Sequence, residues 1–274
     1  MTSNLNQYLK LWNLRDPELL AETPRGTIYA VYQNTEKVVL KMLTQDGIDD
    51  ESEGAFALRY FDGQGSVRLL NQDDSTHLLE YAGDEELAEV VWRGDDRKAA
   101  EIIAEVLNKL HRPQPDVTPP PLRTLRRRFQ ALFTKAAQDE AAGEDSIYIR
   151  GARAAEYLLA NPQNECILHG DIQHHNIRRH PTRGWLAYDP KGLYGERTFD
   201  AANTLCNPCN ARELVISEDR FLQNSQVLAD GMGVNVDRLR TFVFAYSCLS
   251  AAWFGDEDDS DFKRQVLAVA HNAE

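Results

Sequence analysis

The stretch HGDIQHHNIRRHPTRGWLAYD, His169 to Asp189, decides how the rest of this chain is read. It holds two acids, Asp171 and Asp189, and one amide, Asn176, around a segment with hairpin character. Ile177 to Arg179 and Trp185 to Tyr188 have the content of short strands, and His180, Pro181, Thr182, Arg183 and Gly184 supply turn chemistry between them. Folding back in this way returns Asp189 to the neighbourhood of Asn176. Two hard oxygen ligands then stand at adjacent strand ends. They suit Mg²⁺, which takes few protein ligands and completes its shell with phosphate and water. Asp171, on the loop before the hairpin, is left to face an acceptor hydroxyl.

Asn176 follows Asp171 by five residues, the interval of the kinase catalytic loop, where the Asp accepts the substrate proton and the Asn holds metal. Each acid taken singly also fits a turn or a helix cap. The joint spacing points to phosphoryl transfer. His169, His174, His175 and His180 admit a zinc reading as well, although they lack the Cys/His pairs at set spacing that structural zinc uses.

HGDIQHHN, followed by AYDPKG and ERTFDAANTL, resembles the aminoglycoside phosphotransferase family, in its streptomycin 6-kinase and hydroxyurea-resistance kinase branch. That branch is typified by Asp-Pro-Lys-Gly after the second acid, here Asp189, Pro190, Lys191 and Gly192. Gln173 and His175 depart from the family's usual His and Gly, which bears on substrate detail more than on chemistry. The resemblance implies an α+β, two-lobed protein-kinase-like fold. A small β-rich N-lobe over residues 1–82 would bind ATP, and a larger, mainly helical C-lobe over residues 83–274 would carry the catalytic loop and the acceptor site. It also implies that Asp200 braces the loop from a following helix, with His169 as a further structural support.

Gly26 to Asn34 and Lys37 to Leu43 read as strands, and Leu5 to Leu20 as helical periodicity interrupted at Pro17. Lys41 puts a charged head on an otherwise apolar strand, KVVLKML, where kinases carry the lysine that contacts ATP phosphates and pairs with a helix Glu. A helix from about Asp50 to Phe61 should supply that partner, Glu53 in preference to Glu51. Gly26 and Thr27 occupy the place of the loop that covers the phosphates, although neither a full G-x-G-x-x-G nor a Walker A pattern is present. Ser66 to Asn71 and Thr76 to Tyr81 add two strands, giving a five-stranded lobe if an N-terminal segment joins. Glu80, Tyr81 and Ala82 then take the hinge position, where adenine pairs with backbone groups.

Beyond Asp95 the pattern turns helical: Ile102, Ile103, Val106, Leu107 and Leu110 mark one apolar face, and Pro113 to Pro121 form a connector. Further helices are expected from Leu122 to Ala136 and near Gly151 to Leu159, Glu218 to Ala229 and Val236 to Phe254; Arg126, Arg127 and Arg128 suit either contact with anions or, as is usual for a basic run on a helix, a solvated face. Little chain separates Asp189 from the helix that carries Asp200, which leaves no room for the activation segment of a protein kinase and favours a small-molecule acceptor. Asp256, Glu257, Asp258, Asp259 and Asp261 form an acidic cluster suited to a polycationic acceptor such as streptomycin, whose guanidinium groups carboxylates bind well. A solvated acidic loop is the alternative.

A net charge of −13 disfavours nucleic acid as a partner and favours cationic ligands. No apolar run approaches the ~20 residues of a membrane span, and the polar N-terminus has no secretory h-region, so a cytoplasmic protein is expected. Cys206 and Cys209 form a lone C-x-x-C, read as reduced packing or loop residues. The sequence therefore predicts a kinase using ATP and Mg²⁺ on a small cationic substrate. The alternatives are a kinase for hydroxyurea or another small molecule, and a nucleotide-binding scaffold without transfer.

Overall fold

Helix α1 (Thr2–Leu11) leads into strands β1 (Leu14–Thr23), β2 (Gly26–Gln33) and β3 (Glu36–Leu43), followed by helix α2 (Gln45–Phe61), β4 (Leu69–Gln72) and β5 (Thr76–Glu80). The computed structural model describes residues 2–274 apart from Pro115, Asp116, Pro119, Asp256, Glu257 and Asp259, without the side chains of residues 2–4 and 49–52. The five strands form one antiparallel sheet in the order β1-β2-β3-β5-β4. Val38 and Leu40 of β3 pack with Tyr8, Leu14, Val31 and Leu78 on one face, while Val39 packs with Leu58, Leu79 and Ala82 on the other. The two-residue period of a strand puts Lys41 on the same face as Val39.

The helix expected from Leu5 to Leu20 ends at Leu11, and Leu14–Thr23 is instead an edge strand. Pro17 lies in a register irregularity between Arg15 and Glu18, where Asp16 has φ 53°. An edge strand with a bulge tolerates the missing N–H. Leu19 and Leu20 are exposed, so the apolar spacing that suggested a helix marks no buried face.

The chain then forms β6 (Glu85–Glu86), α3 (Leu87–Trp92), α4 (Asp96–Leu110), β7 (Arg123–Thr124), α5 (Leu125–Arg128), α6 (Gln130–Ala142) and α7 (Ile147–Ala160). Strands β8 (Glu165–Leu168), β9 (Ile177–His180), β10 (Gly184–Ala187) and β11 (Leu193–Glu196) surround the predicted hairpin. Helices α8 (Ala202–Leu205), α9 (Arg212–Val215), α10 (Glu218–Met232), α11 (Val236–Ala252) and α12 (Asp261–Ala273) complete a helical region. Strands β9 and β10 pair antiparallel with Ile177 opposite Ala187, as the turn residues predict. A third strand, β6, adds to the edge of β9 and sets Glu85 and Glu86 opposite Arg179 and Arg178, a cross-strand charge pairing that favours this register.

Helix α11 is buried nearly all round from Phe242 to Ala251 and runs through the centre of the helical region. Phe199 meets Phe129, Phe242 and Tyr246 edge-on at ring centroid distances of 5.8, 6.2 and 5.8 Å. This aromatic knot lies beside Asp200 and anchors the segment after the hairpin to α11.

Candidate active site

The loop after β8 puts Asp171 next to Asn176, which closes a short 3-10 turn at His174–Asn176. The Asn176 amide Nδ2 donates to the Asp171 backbone oxygen at 2.9 Å and to its Oδ2 at 3.4 Å, while Asn203 Nδ2 donates to Asp171 Oδ1 at 2.9 Å. With Nδ2 so engaged, Asn176 offers a cation its Oδ1. Asp189 follows β10 in a left-handed conformation, φ 61°, and its Oδ1 accepts from Lys41 Nζ at 2.5 Å. Lys191 Nζ lies 3.9 Å from Asp189 Oδ2. The structure thus gathers Lys41 and Lys191 about Asp189 and sets Asn176 against Asp171.

Environment separates the two acids. Burial pushes the Asp171 carboxyl up to about 6, although Lys191, Arg128 and the Asn176 amide pull the other way. For Asp189 burial also pushes up, but Lys41 and Lys191 outweigh it and hold the carboxyl at about 2. One acid is therefore poised to exchange a proton near neutrality, and the other stays an anion fit to hold metal. If Asp171 must be ionised to take the proton, kcat/KM should rise with pH through about 6. A flat profile from pH 5 to 8 would contradict that assignment. Linkage runs the opposite way: the raised Asp171 contributes stability that is present below its unfolded value and lost as pH climbs through about 6.

Beneath the loop, Asp200 receives the His169 N–H at 2.8 Å and the Gly170 N–H at 2.7 Å, with His111 Nε2 at 2.9 Å. Burial lowers the His169 imidazole to about 4, so it is neutral. Its Nε2 donates to the Tyr188 oxygen at 3.0 Å and its Nδ1 accepts the Asp171 N–H at 3.3 Å, which fixes one tautomer and ties both acid-bearing segments together. His169 and Asp200 thus hold the loop from below. His111, at the end of α4, carried no sequence signal for this part.

Glu53 is a correction. Its carboxylate accepts from Arg123 Nε at 2.7 Å rather than from Lys41. Helix α2 lies so close to the Asp189 segment that a Cβ on Gly54 would meet the Pro190 oxygen at 2.1 Å, and one on Gly192 the Glu53 oxygen at 2.2 Å. That backbone contact directs Glu53 toward β7. The Glu51 side chain lies outside the described residues. Gly26 closes the β1–β2 turn, its N–H donating to Thr23 Oγ1 at 3.1 Å, and Thr27 stands opposite Met42 on β3.

At the hinge, Glu80 spends its N–H on the Arg68 oxygen at 2.9 Å and its carboxylate on Arg183 of the hairpin turn. It therefore joins the hairpin to the sheet, and its N–H is not available to adenine. Tyr81 bonds Asp84 and lies under Lys37, whereas Ala82 is buried with Val39, Leu79 and Leu186.

The acidic acceptor cluster is only partly visible. Asp256, Glu257 and Asp259 lie outside the described residues. Asp258 turns back to accept the Ser260 N–H at 2.7 Å, and Asp261 pairs with Arg264 at 2.6 Å, local bonds that account for both. The cavity that opens beside Asp171 is walled instead by Tyr246, Ser250, Trp253, Phe254 and Phe262, with the amides Gln173, Asn203 and Asn207. Asn203 lies three residues after Asp200 inside the quoted ERTFDAANTL, so its position was legible although its bond to Asp171 was not. Arg128 is no solvated-face residue: its guanidinium stacks on Trp253 at 4.5 Å.

The four histidines disperse. His175 Nδ1 meets Glu86 at 2.9 Å, His180 meets the Glu80 carboxylate at 3.7 Å, and no cluster of three metal-binding side chains occurs among the described residues. The four cysteines are free: Cys206 is buried against Ser247, and Cys209 is exposed, 3.5 Å from His175 Nε2. No helix among the described residues is long and apolar enough to cross a membrane.

Residues 11–258 match the family described as aminoglycoside/hydroxyurea antibiotic resistance kinase. The chain is 36% identical to a streptomycin 3''-kinase of Klebsiella pneumoniae over 97% of both chains. It is 34% identical to a streptomycin 6-kinase of Streptomyces griseus over 56% of this chain and 50% of that one. Among solved structures, an amicoumacin kinase superposes with a TM-score of 0.64 at 12% identity, over 98% of this chain and 93% of that one, a likeness of fold.

Proposed function

This chain belongs to the aminoglycoside/hydroxyurea antibiotic resistance kinase family and is a phosphotransferase with an alcohol acceptor, and from that premise we propose that it moves the γ-phosphoryl group of ATP to a hydroxyl of a streptomycin-type aminoglycoside. The observation that carries this reading is the pairing of Lys41 with Asp189 and of Asn176 with Asp171, the two acid-bearing segments being joined through His169, with Asp171 lining the cavity under α11. Adenine would lie against the apolar wall of Val39, Leu79, Ala82 and Leu186, and pair with backbone groups of Tyr81 and Ala82. Gly26 and Thr27 would cover the phosphates, and Lys41 would steady them.

The donor set fits Mg²⁺: the Asn176 amide oxygen and a carboxylate, Asp189, that stays ionised far below neutral pH. When bound, Mg²⁺ supplies charge neutralisation to the phosphates. Asp171 orients the acceptor hydroxyl and takes its proton, and the Asn203 and Asn176 amides hold that carboxylate in place. Catalysis of this kind is mostly alignment and charge stabilisation. Hydroxyurea, named in the family description, is the second reading.

Mass spectrometry of streptomycin and of hydroxyurea incubated with the protein, ATP and Mg²⁺ tests the proposal. One added phosphoryl group on streptomycin is the expected product. ATP binding without ADP release across a broad acceptor panel would leave a scaffold and overturn it.

A further inference from the structure

Two residues singled out in the sequence have no part in the phosphotransfer reading: His175, which stands where the family usually has Gly, and Cys209, the outer half of the lone C-x-x-C. They lie 34 positions apart and meet in space, with Cys209 Sγ standing 3.5 Å from His175 Nε2. The imidazole is held for that meeting. Its Nδ1 donates to Glu86 Oε2 at 2.9 Å, and the other oxygen of Glu86 is held by Arg178 Nη2 at 2.6 Å. The Trp92 ring packs beside it at a centroid distance of 6.0 Å, and the His175 backbone N–H donates to Gln173 Oε1 at 3.1 Å.

With Nδ1 committed as a donor, the lone pair of Nε2 faces the sulfur. A carboxylate behind one imidazole nitrogen and an open lone pair on the other is the arrangement by which proteins orient a metal-ligating histidine. The separation is also that of two ligands on one ion. Zn–S and Zn–N bonds of about 2.3 and 2.05 Å at a tetrahedral angle put sulfur and nitrogen roughly 3.5 Å apart. Zinc therefore enters with little movement of either side chain. Cys209 is exposed, so the ion has a path from solvent. The described residues supply no third side chain, and water fills the remaining positions.

We propose that Cys209 Sγ and His175 Nε2 form a binding site for Zn²⁺, with Glu86 as the carboxylate that orients the imidazole. On binding, the metal–sulfur bond replaces the thiol S–H bond and the proton passes to solvent. Thiolate and imidazole select against Mg²⁺, so this site is distinct from the Asn176 and Asp189 oxygens. The ion clasps the turn His174–Asn176 to the loop after Asn207. Asn207 donates to Asn203, which in turn donates to Asp171, so the clasp bears on the catalytic loop from outside the cavity.

Zn²⁺ titration of the full chain against a chromophoric chelator, without nucleotide, Mg²⁺ or acceptor, tests the site independently of the phosphotransfer reading. One equivalent bound by the parent protein and lost in Cys209→Ala is the expected result. Co²⁺ in its place should give a thiolate-to-metal charge-transfer absorption that the variant lacks. Cys209 is exposed, so its replacement leaves the fold intact and lost binding reads the site itself. Glu86→Gln should weaken binding by roughly tenfold or more, the worth of an outer carboxylate. Equal Zn²⁺ binding by parent and Cys209→Ala, or none by either, overturns the inference, and unaltered affinity in Glu86→Gln overturns the role given to that carboxylate.

Discussion

Asp171→Asn should lower kcat by about 10²-fold or more, the range that a positioned general base contributes, while ATP affinity is unchanged. The substitution is nearly isosteric. Its amide oxygen can still accept from Asn203, as Oδ1 does now at 2.9 Å; the proton acceptor is lost together with the long 3.4 Å bond from Asn176, which keeps its 2.9 Å bond to the Asp171 backbone oxygen. Lys41 and Asp189, assigned to the nucleotide and metal, are untouched. Steady-state kinetics with an ADP-release assay, beside calorimetric titration of ATP, separates the two effects. Turnover close to that of the parent protein would remove Asp171 from the role of base.

Asp200→Ala should be the most damaging change to the fold around the site. The carboxylate accepts two backbone N–H groups and faces His111, and its side chain is fully shielded from solvent. Removing one partner of such a buried network leaves the others desolvated and unpaired, at a cost of about 3–5 kcal/mol. In a chain of this size the melting temperature should fall by roughly 10 °C. Activity should fall even at temperatures where the variant is folded, because His169 and Gly170 set the path of the chain into Asp171. A variant that melts with the parent would show that Asp200 is not the brace.

The polar site and its scaffold were unequally legible in the sequence. Asp171 and Asn176 are five residues apart, and the hairpin between Asn176 and Asp189 is announced by Pro181, Thr182 and Gly184, so local spacing alone draws these groups together. Lys41 is announced by a charge on an apolar strand. Glu53 was not readable in the same way, because its direction depends on how closely α2 approaches Pro190 and Gly192, a contact between segments more than a hundred residues apart. The edge strand Leu14–Thr23 was masked by Leu19 and Leu20, whose apolar character reports no burial there. Acidic residues 256–261 drew attention as a charge cluster, yet Asp258 and Asp261 serve their own turn and helix.

By itself the sequence determined a neighbourhood: two acids, Asp171 and Asp189, and the Asn176 amide at intervals short enough for loop and hairpin geometry to bring them together, and Lys41 on a strand of known period. Tertiary structure alone decided what surrounds them. The unequal acidities of Asp171 and Asp189 arise from burial and from cations carried in by β3 and the Asp189 loop, and the wall of the cavity beside Asp171 comes from α11 and from Trp253, Phe254 and Phe262. Desolvation and long-range contact depend on which distant segments share a volume, and no local pattern of residues encodes that.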